Sequence, residues 1–318
     1  MRISSYNAFQ TSVSNLQKRQ QDLATVQSQM TSGLRVSQPG DDPVAAAQVV
    51  RSLAAQSRVD AQTTALNASQ SDMQLSESAL GNASTLLQQA RALVVQAGNG
   101  SYTDSDRASL AQQLQGLRSD LLAQANQTDG NGRYLFGGQG SDSPPFVDGQ
   151  LSVNAATGAV SSVSYVGTAG QQQAVSSQAM PLTVDGNAAW MQTANPAAPG
   201  TTISVFAALD QTIASLNTPN QSSSAIATTV SQGLASIDAV SNTLSSARSA
   251  AGQALNNATT VGSQLSQAKL AAQTTQSNAQ DLDMTAAISD FQNKQTGYDA
   301  ALKTYSLVQQ MSLFQYLK

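Results

Sequence analysis

The sequence predicts a mainly α-helical fold: a long antiparallel helical hairpin or bundle formed by both chain ends, with a small β-rich domain inserted between them. Three observations predict it. Apolar residues recur at heptad spacing in both halves of the chain, and the stretch from about 130 to 200 is instead rich in Gly and Pro. The third is charge, since no Lys or Arg occurs between Arg133 and Arg248.

Near the start, Tyr6, Phe9, Val13, Leu16, Leu23 and Met30 fall on one helical stripe, interrupted by Gln20 and Gln27. Asp42 reads as an N-cap and Pro43 as the first helical position, because the cap accepts from orphan amides and proline has no amide to lose there. The adjacent Asp41 invites a metal or acid–base reading, but capping accounts for this pair without one. The helix that follows carries Val59, Leu66, Met73, Leu80, Leu87 and Val94 at a strict interval of seven. Between them Ala55, Ser69, Ser76, Ala83 and Ala90 are small, and only Gln62 is bulky and polar. A shorter helix with Leu110, Leu114, Leu117 and Leu121 can join it in a bundle.

Past this point the pattern changes. The loop Gly130-Asn131-Gly132-Arg133-Tyr134-Leu135-Phe136-Gly137-Gly138 superficially resembles a phosphate cradle but lacks a Gly-Lys-Ser/Thr ending. Tyr134 and Phe136 read better as a plug at the exit from the helical region. Short runs such as Val163-Ser164-Tyr165-Val166 and Leu182-Thr183-Val184 have β character. Helical spacing returns with Val205, Leu209, Ile213 and Leu216. The longest seam then alternates steps of four and three from Ile226 through Val230, Gly233, Ile237, Val240 and Leu244 to Val261, Leu265, Ala268 and Ala272. Asp281 and Asp283 read as caps and dipole partners of a last helix. That helix carries Met284, Ile288, Phe291, Tyr298, Leu302 and Tyr305, with Gln295 as its interruption. An apolar tail with Leu307, Val308, Met311, Leu313, Phe314, Tyr316 and Leu317 follows.

The expected organisation is a terminal coiled-coil domain of 1–42 with 280–318, a helical bundle of 43–130 with 203–279, and a β-rich surface domain of 131–202. The central stripes are expected to cover each other. Two narrow terminal helices cannot hide all their apolar surface, so neighbouring chains are the expected cover for Phe9, Val13, Leu16, Leu23, Met30, Ile288, Phe291, Tyr298, Leu302, Tyr305, Leu313, Phe314 and Leu317.

Composition narrows the chemistry. The 318 residues include neither Cys nor His, which removes the usual zinc ligands, the commonest general base and every Ser-His-Asp or Cys-His arrangement. No cofactor is expected, and an activity built on Asp, Ser or Lys alone is all that stays open. A net charge of −4 gives no electrostatic footprint for nucleic acid or an anionic membrane. No segment has the apolar length of a membrane span, and the start lacks the apolar stretch of a secretory signal peptide.

Met1-Arg2-Ile3-Ser4, then Ser32-Gly33-Leu34-Arg35-Val36 and Asp41-Asp42-Pro43, together resemble the N-terminal region of bacterial flagellins and their relatives. Three further stretches are more similar to the hook–filament junction members of that family than to filament flagellin. They are Gly132 to Gly138 with Tyr134, Phe136 and Gly137; Ser143-Pro144-Pro145-Phe146; and Met311-Ser312-Leu313-Phe314-Gln315-Tyr316-Leu317. The resemblance implies an extracellular structural protein whose paired ends line an inner tube. It also implies partners: further copies in a ring-like layer, hook-associated protein 1, flagellin, and a flagellar export chaperone with the type III export apparatus. The rivals are a filament flagellin subunit and an unrelated coiled-coil surface fibre or adhesin. Some relatives carry a metalloprotease insert, which needs a His-Glu-x-x-His helix that a chain without histidine cannot form.

Overall fold

The computed structural model describes residues 2–139, 142–153, 160–171, 173–174, 180–181 and 183–314. In chain order the helices are α1 (Arg2–Ser32), α2 (Pro43–Ala97), α3 (Asp104–Ala125), α4 (Val205–Leu216), α5 (Ser223–Gln280) and α6 (Met284–Phe314). Between α3 and α4 lie short strands β1 (Phe146–Val153), β2 (Val160–Tyr165), β3 (Gln173–Ala174), β4 (Met180–Pro181), β5 (Thr193–Ala194) and β6 (Thr202–Ile203). The fold is thus the expected helical one with a small β-containing insert. The described residues group into two compact units, one within 1–60 and 266–318, the other within 61–265.

In the unit 61–265 the heptad positions do what their spacing demands. Leu80, Leu87 and Val94 of α2 and Ile237, Val240 and Leu244 of α5 are wholly buried in one apolar cluster. Leu110, Leu114 and Leu121 of α3 and Val205, Leu209 and Leu216 of α4 belong to the same cluster. Salt bridges from Arg91 to Asp238 and from Arg248 to Glu77 tie α2 to α5 and fix their antiparallel register. Gly233 lets α5 approach closely, since a Cβ there would lie 2.8 Å from Thr212 Oγ1. A second, smaller apolar cluster of Leu66, Ala258 and Val261 lies further along α2 and α5. Helix α3 starts at a capping box: Thr103 Oγ1 accepts from the Asp106 amide, and the Asp106 carboxylate accepts from the Thr103 amide.

Among the described residues the insert contains three two-stranded antiparallel sheets. In β1 and β2 the register pairs Phe146 with Tyr165 and Asp148 with Val163, with an irregularity between Asp148 and Ser152. Leu182 lies outside the described residues. A π-helical turn, Asn187–Met191, buries Trp190, which stacks on Phe206 with centroids 6.1 Å apart and meets Phe136 edge-on at 5.5 Å. Strand character is legible in this stretch but the turn is not: Asp185 Oδ1 accepts from the Ala188 amide at its start, and Trp190 packs it onto Phe136 and Phe206.

One buried cation joins three elements of this unit. Arg118 of α3 donates from Nη1 and Nη2 to Asp148 of β1, at 3.0 and 2.7 Å, and from Nε to Asp210 of α4. The Asp148 carboxylate, then Asp210, hold its guanidinium above the ordinary arginine range against the opposing effect of burial. Breaking a buried pair from one side costs about 3–5 kcal/mol, and the half-exposed Asp148 puts this case at the low end. Arg118→Ala is therefore expected to cost about 3 kcal/mol, read as a lower urea midpoint at unchanged slope.

Candidate assembly surfaces

The unit 1–60 with 266–318 is built from α1, α6, the first part of α2 and the last part of α5. Gly33 terminates α1 in the left-handed conformation, with φ of 72°, as a helix-ending glycine does. In the connection that follows, Asp41 Oδ2 accepts from the Ser37 amide and hydroxyl and from the Gln38 amide. Those bonds, the Gln38 amide foremost, pull its carboxyl below the ordinary range. Asp42 Oδ1 accepts from the Val44 and Ala45 amides at 3.1 and 3.0 Å, and Pro43 is the first residue of α2. The Ala45 amide and then Arg35 lower its carboxyl too. Across the unit Asp283 Oδ1 accepts from the Thr285 and Ala286 amides at the start of α6. Asp281 accepts from the Ser277 hydroxyl.

Helices α1 and α6 pack together, but along a narrow face. Val26 and Ala287 are the apolar side chains buried here, at 4% and 6% exposure. Val13, Leu16, Leu23, Met30, Phe291, Tyr298 and Tyr305 are half-buried. Phe9 reaches Tyr305 with ring centroids 5.9 Å apart, yet remains 45% exposed. Ile288 and Leu302 are likewise 44% and 40% exposed. The side chains of Tyr6, Val308, Met311, Leu313 and Phe314 lie outside the described residues, as do Tyr316 and Leu317 entirely.

Val26 and Ala287 were not in the sequence-derived stripes. A strict interval of seven placed Gln20 and Gln27 on the α1 seam, yet both are exposed. A straight helix drifts against a seven-residue repeat, and the contact passes instead to Val26 and to Arg19, whose side chain crosses the Cα of Gly297. The missed signal was the step from Leu23 to Val26 to Met30, three then four residues, and from Ala287 to Phe291 on the other helix.

The family loop lies in the other unit. Phe136 and Gly137 are buried and Tyr134 is half-buried, with Phe136 in the aromatic cluster around Trp190. The loop's amides are already used, because Asp129 Oδ1 accepts from Asn131 and Arg133 at 2.8 Å each. Burial pushes the Asp129 carboxyl up, but the amides and guanidinium of Arg133 and the Asn131 amide bring it below the ordinary value. A phosphate would have to displace a carboxylate from its own donors. Among the described residues no group of three His, Cys, Asp or Glu could hold a metal ion, and no helix is long and apolar enough to cross a membrane.

Exposure of large apolar side chains is uneven. Phe9, Val44, Val50, Leu53, Leu270, Met284, Ile288, Leu302 and Leu307 lie in the unit 1–60 with 266–318, against Val95, Val147 and Val166 in the larger one. Nine of these twelve thus fall in the smaller unit, where scattered chance exposure would place a minority.

Comparison with known proteins gives four findings. The bacterial flagellin N-terminal helical region matches residues 3–141. A flagellar hook-associated protein 3 from Escherichia coli is 33% identical over 329 residues, covering 100% of each chain. A B-type flagellin from Pseudomonas aeruginosa is also 33% identical, but over 125 residues that make up 39% of this chain and 25% of that one. In fold, the chain is similar to a crystal structure of Xanthomonas campestris FlgL, with a TM-score of 0.59 at 22% identity, over 72% of this chain and 99% of that one.

Proposed function

The chain belongs to the flagellar hook-associated protein 3 family, and we infer from that membership that it is a structural part of the bacterial flagellum, joining the hook to the filament. The observation that carries the mechanism is the concentration of uncovered apolar side chains in the unit 1–60 with 266–318. Apolar surface removed from water contributes about 25 cal/mol per Å², so such a unit gains most when other subunits surround it.

In this reading the terminal stretches 1–42 and 280–318 make the inner-tube contacts, 43–130 with 203–279 form a stiff outer shell, and 131–202 faces outward. Copies form a ring-like layer with hook-associated protein 1 on one side and the first flagellin subunits on the other. The layer adapts one lattice to the next, a mechanical role with no catalytic residue. The chain leaves the cell unfolded through the flagellar type III export apparatus, delivered by an export chaperone. The absence of cysteine, and so of disulfide cross-links, suits such passage.

A filament subunit is the reading to separate from this one, and a strain lacking the chain separates them. A junction part leaves bare hooks while flagellin accumulates in the medium unpolymerised. Bare hooks with little secreted flagellin would instead identify the chain as the filament subunit.

A further inference from the structure

Both helical connections of the smaller unit meet at one residue. The link between α1 and α2 spans 33–42, and the link between α5 and α6 spans 281–283. A helix leaves its last carbonyls without intrahelical partners. At the end of α5 these are taken from across the unit: Ala279 O accepts from Arg35 Nη2 at 2.7 Å, and Gln280 O from the Arg35 amide at 2.7 Å and the Val36 amide at 3.3 Å. A cation at a helix C-terminus also suits the helix dipole. Arg35 Nη1 lies 3.2 Å from Asp42 Oδ2, and Asp42 caps α2 through its other oxygen. The Arg35 carbonyl accepts from Gln29 Nε2 of α1 at 2.9 Å. Next to it, Leu34 bridges to Asp281, and Gly33 O accepts from the Leu282 amide at 3.0 Å, two residues before α6 starts.

We propose that Arg35 is a positioning residue that couples the two breaks, so that α1 and α6 are held or released together. Beside it stand the backbone bonds from the Val36 amide to Gln280 O and from the Leu282 amide to Gly33 O. The apolar packing at the breaks is a small cluster of Val36, Ala45, Val49 and Ala279, and segments with few buried apolar contacts open at low cost. The guanidinium spans the end of α5 and the start of α2, its amide and carbonyl join the end of α5 to Gln29 of α1, and its neighbours Leu34 and Gly33 reach the approach to α6. Loosening one arm therefore loosens the other. The value of this for filament attachment rests on the junction reading, but the coupling itself belongs to the lone chain and is measured there.

The test is peptide-resolved hydrogen exchange on the full chain, comparing it with Arg35→Ala and Arg35→Lys. Arg35 is about half exposed, so losing its charged hydrogen bonds is expected to speed exchange roughly three- to tenfold. The acceleration should appear by similar factors in 26–37 and in 277–290, with 61–265 unchanged. Arg35→Lys should recover part of the protection on both sides, since an ammonium reaches the Ala279 carbonyl or Asp42 but not both. Acceleration confined to one break, at neither, or spread into 61–265 overturns the coupling. A failed junction reading would instead show in filament growth and would leave this exchange pattern intact.

Discussion

Replacing Ile288 and Leu302 together by aspartate is expected to abolish filament growth on hooks while leaving the purified chain folded. Both side chains are about half exposed, as open to water as Phe9. In the lone chain the new carboxylates sit in water, and surface changes of this kind stay within about 0.5 kcal/mol. In an assembly the balance reverses. Each covered Ile or Leu would contribute about 1.5–3 kcal/mol, and an unpaired carboxylate in the same place costs more than that gain. The penalty recurs in every copy of a layer, so the effect is all or none. Electron microscopy of hooks and thermal unfolding of the purified variant read the two halves of the expectation. Val147→Asp is the control, because Val147 is equally exposed at 44% but lies in the insert, and its filaments should be normal. Normal filaments in the double variant would show that these side chains do not serve assembly, and an unfolded chain would show that they hold the lone chain together instead.

The helical part of the fold was legible because its chemistry is periodic. Leu80, Leu87 and Val94 are buried for the reason their interval of seven suggests, and so are Ile237, Val240 and Leu244 in the opposing seam. The α1–α6 contact was only half legible. Its heptad frame holds for Leu16, Leu23 and Met30, but over a straight helix the 3.6-residue turn shifts the buried position from Gln27 to Val26. On α6 the buried position is Ala287, outside the apparent stripe, while Ile288 and Leu302 within it remain exposed. The step from Ala287 to Phe291 was the trace of this in the sequence, hard to see because the neighbouring positions are apolar too.

The insert was the least legible. Phe146, Trp190 and Phe206 meet there from three separate segments, and a long-range aromatic cluster leaves no local signature. Arg118 is the same kind of case, since its partners Asp148 and Asp210 lie far along the chain. Arg35 was noticed as part of the stretch from Ser32 to Val36 that resembles flagellins. Its position at the end of α5 follows only from the antiparallel pairing of Leu34 with Asp281.

Hydrogen exchange at the tips of the arms, 2–20 and 295–314, tests most directly whether other molecules are needed to complete them. These stretches lie beyond the buried Val26 and Ala287, and Phe9, Val13, Leu16, Tyr298, Leu302, Tyr305 and Leu307 in them are half-buried or exposed. Isolated helices with so little cover are marginal in water. In the dilute chain both tips are expected to exchange nearly as fast as unstructured peptide while 61–265 stays protected. In chain bound to hooks and capped by filament, the same amides should slow by about a hundredfold or more. Tips as protected as 61–265 in the dilute chain, with no further slowing on assembly, would contradict the assembly role of the terminal helices.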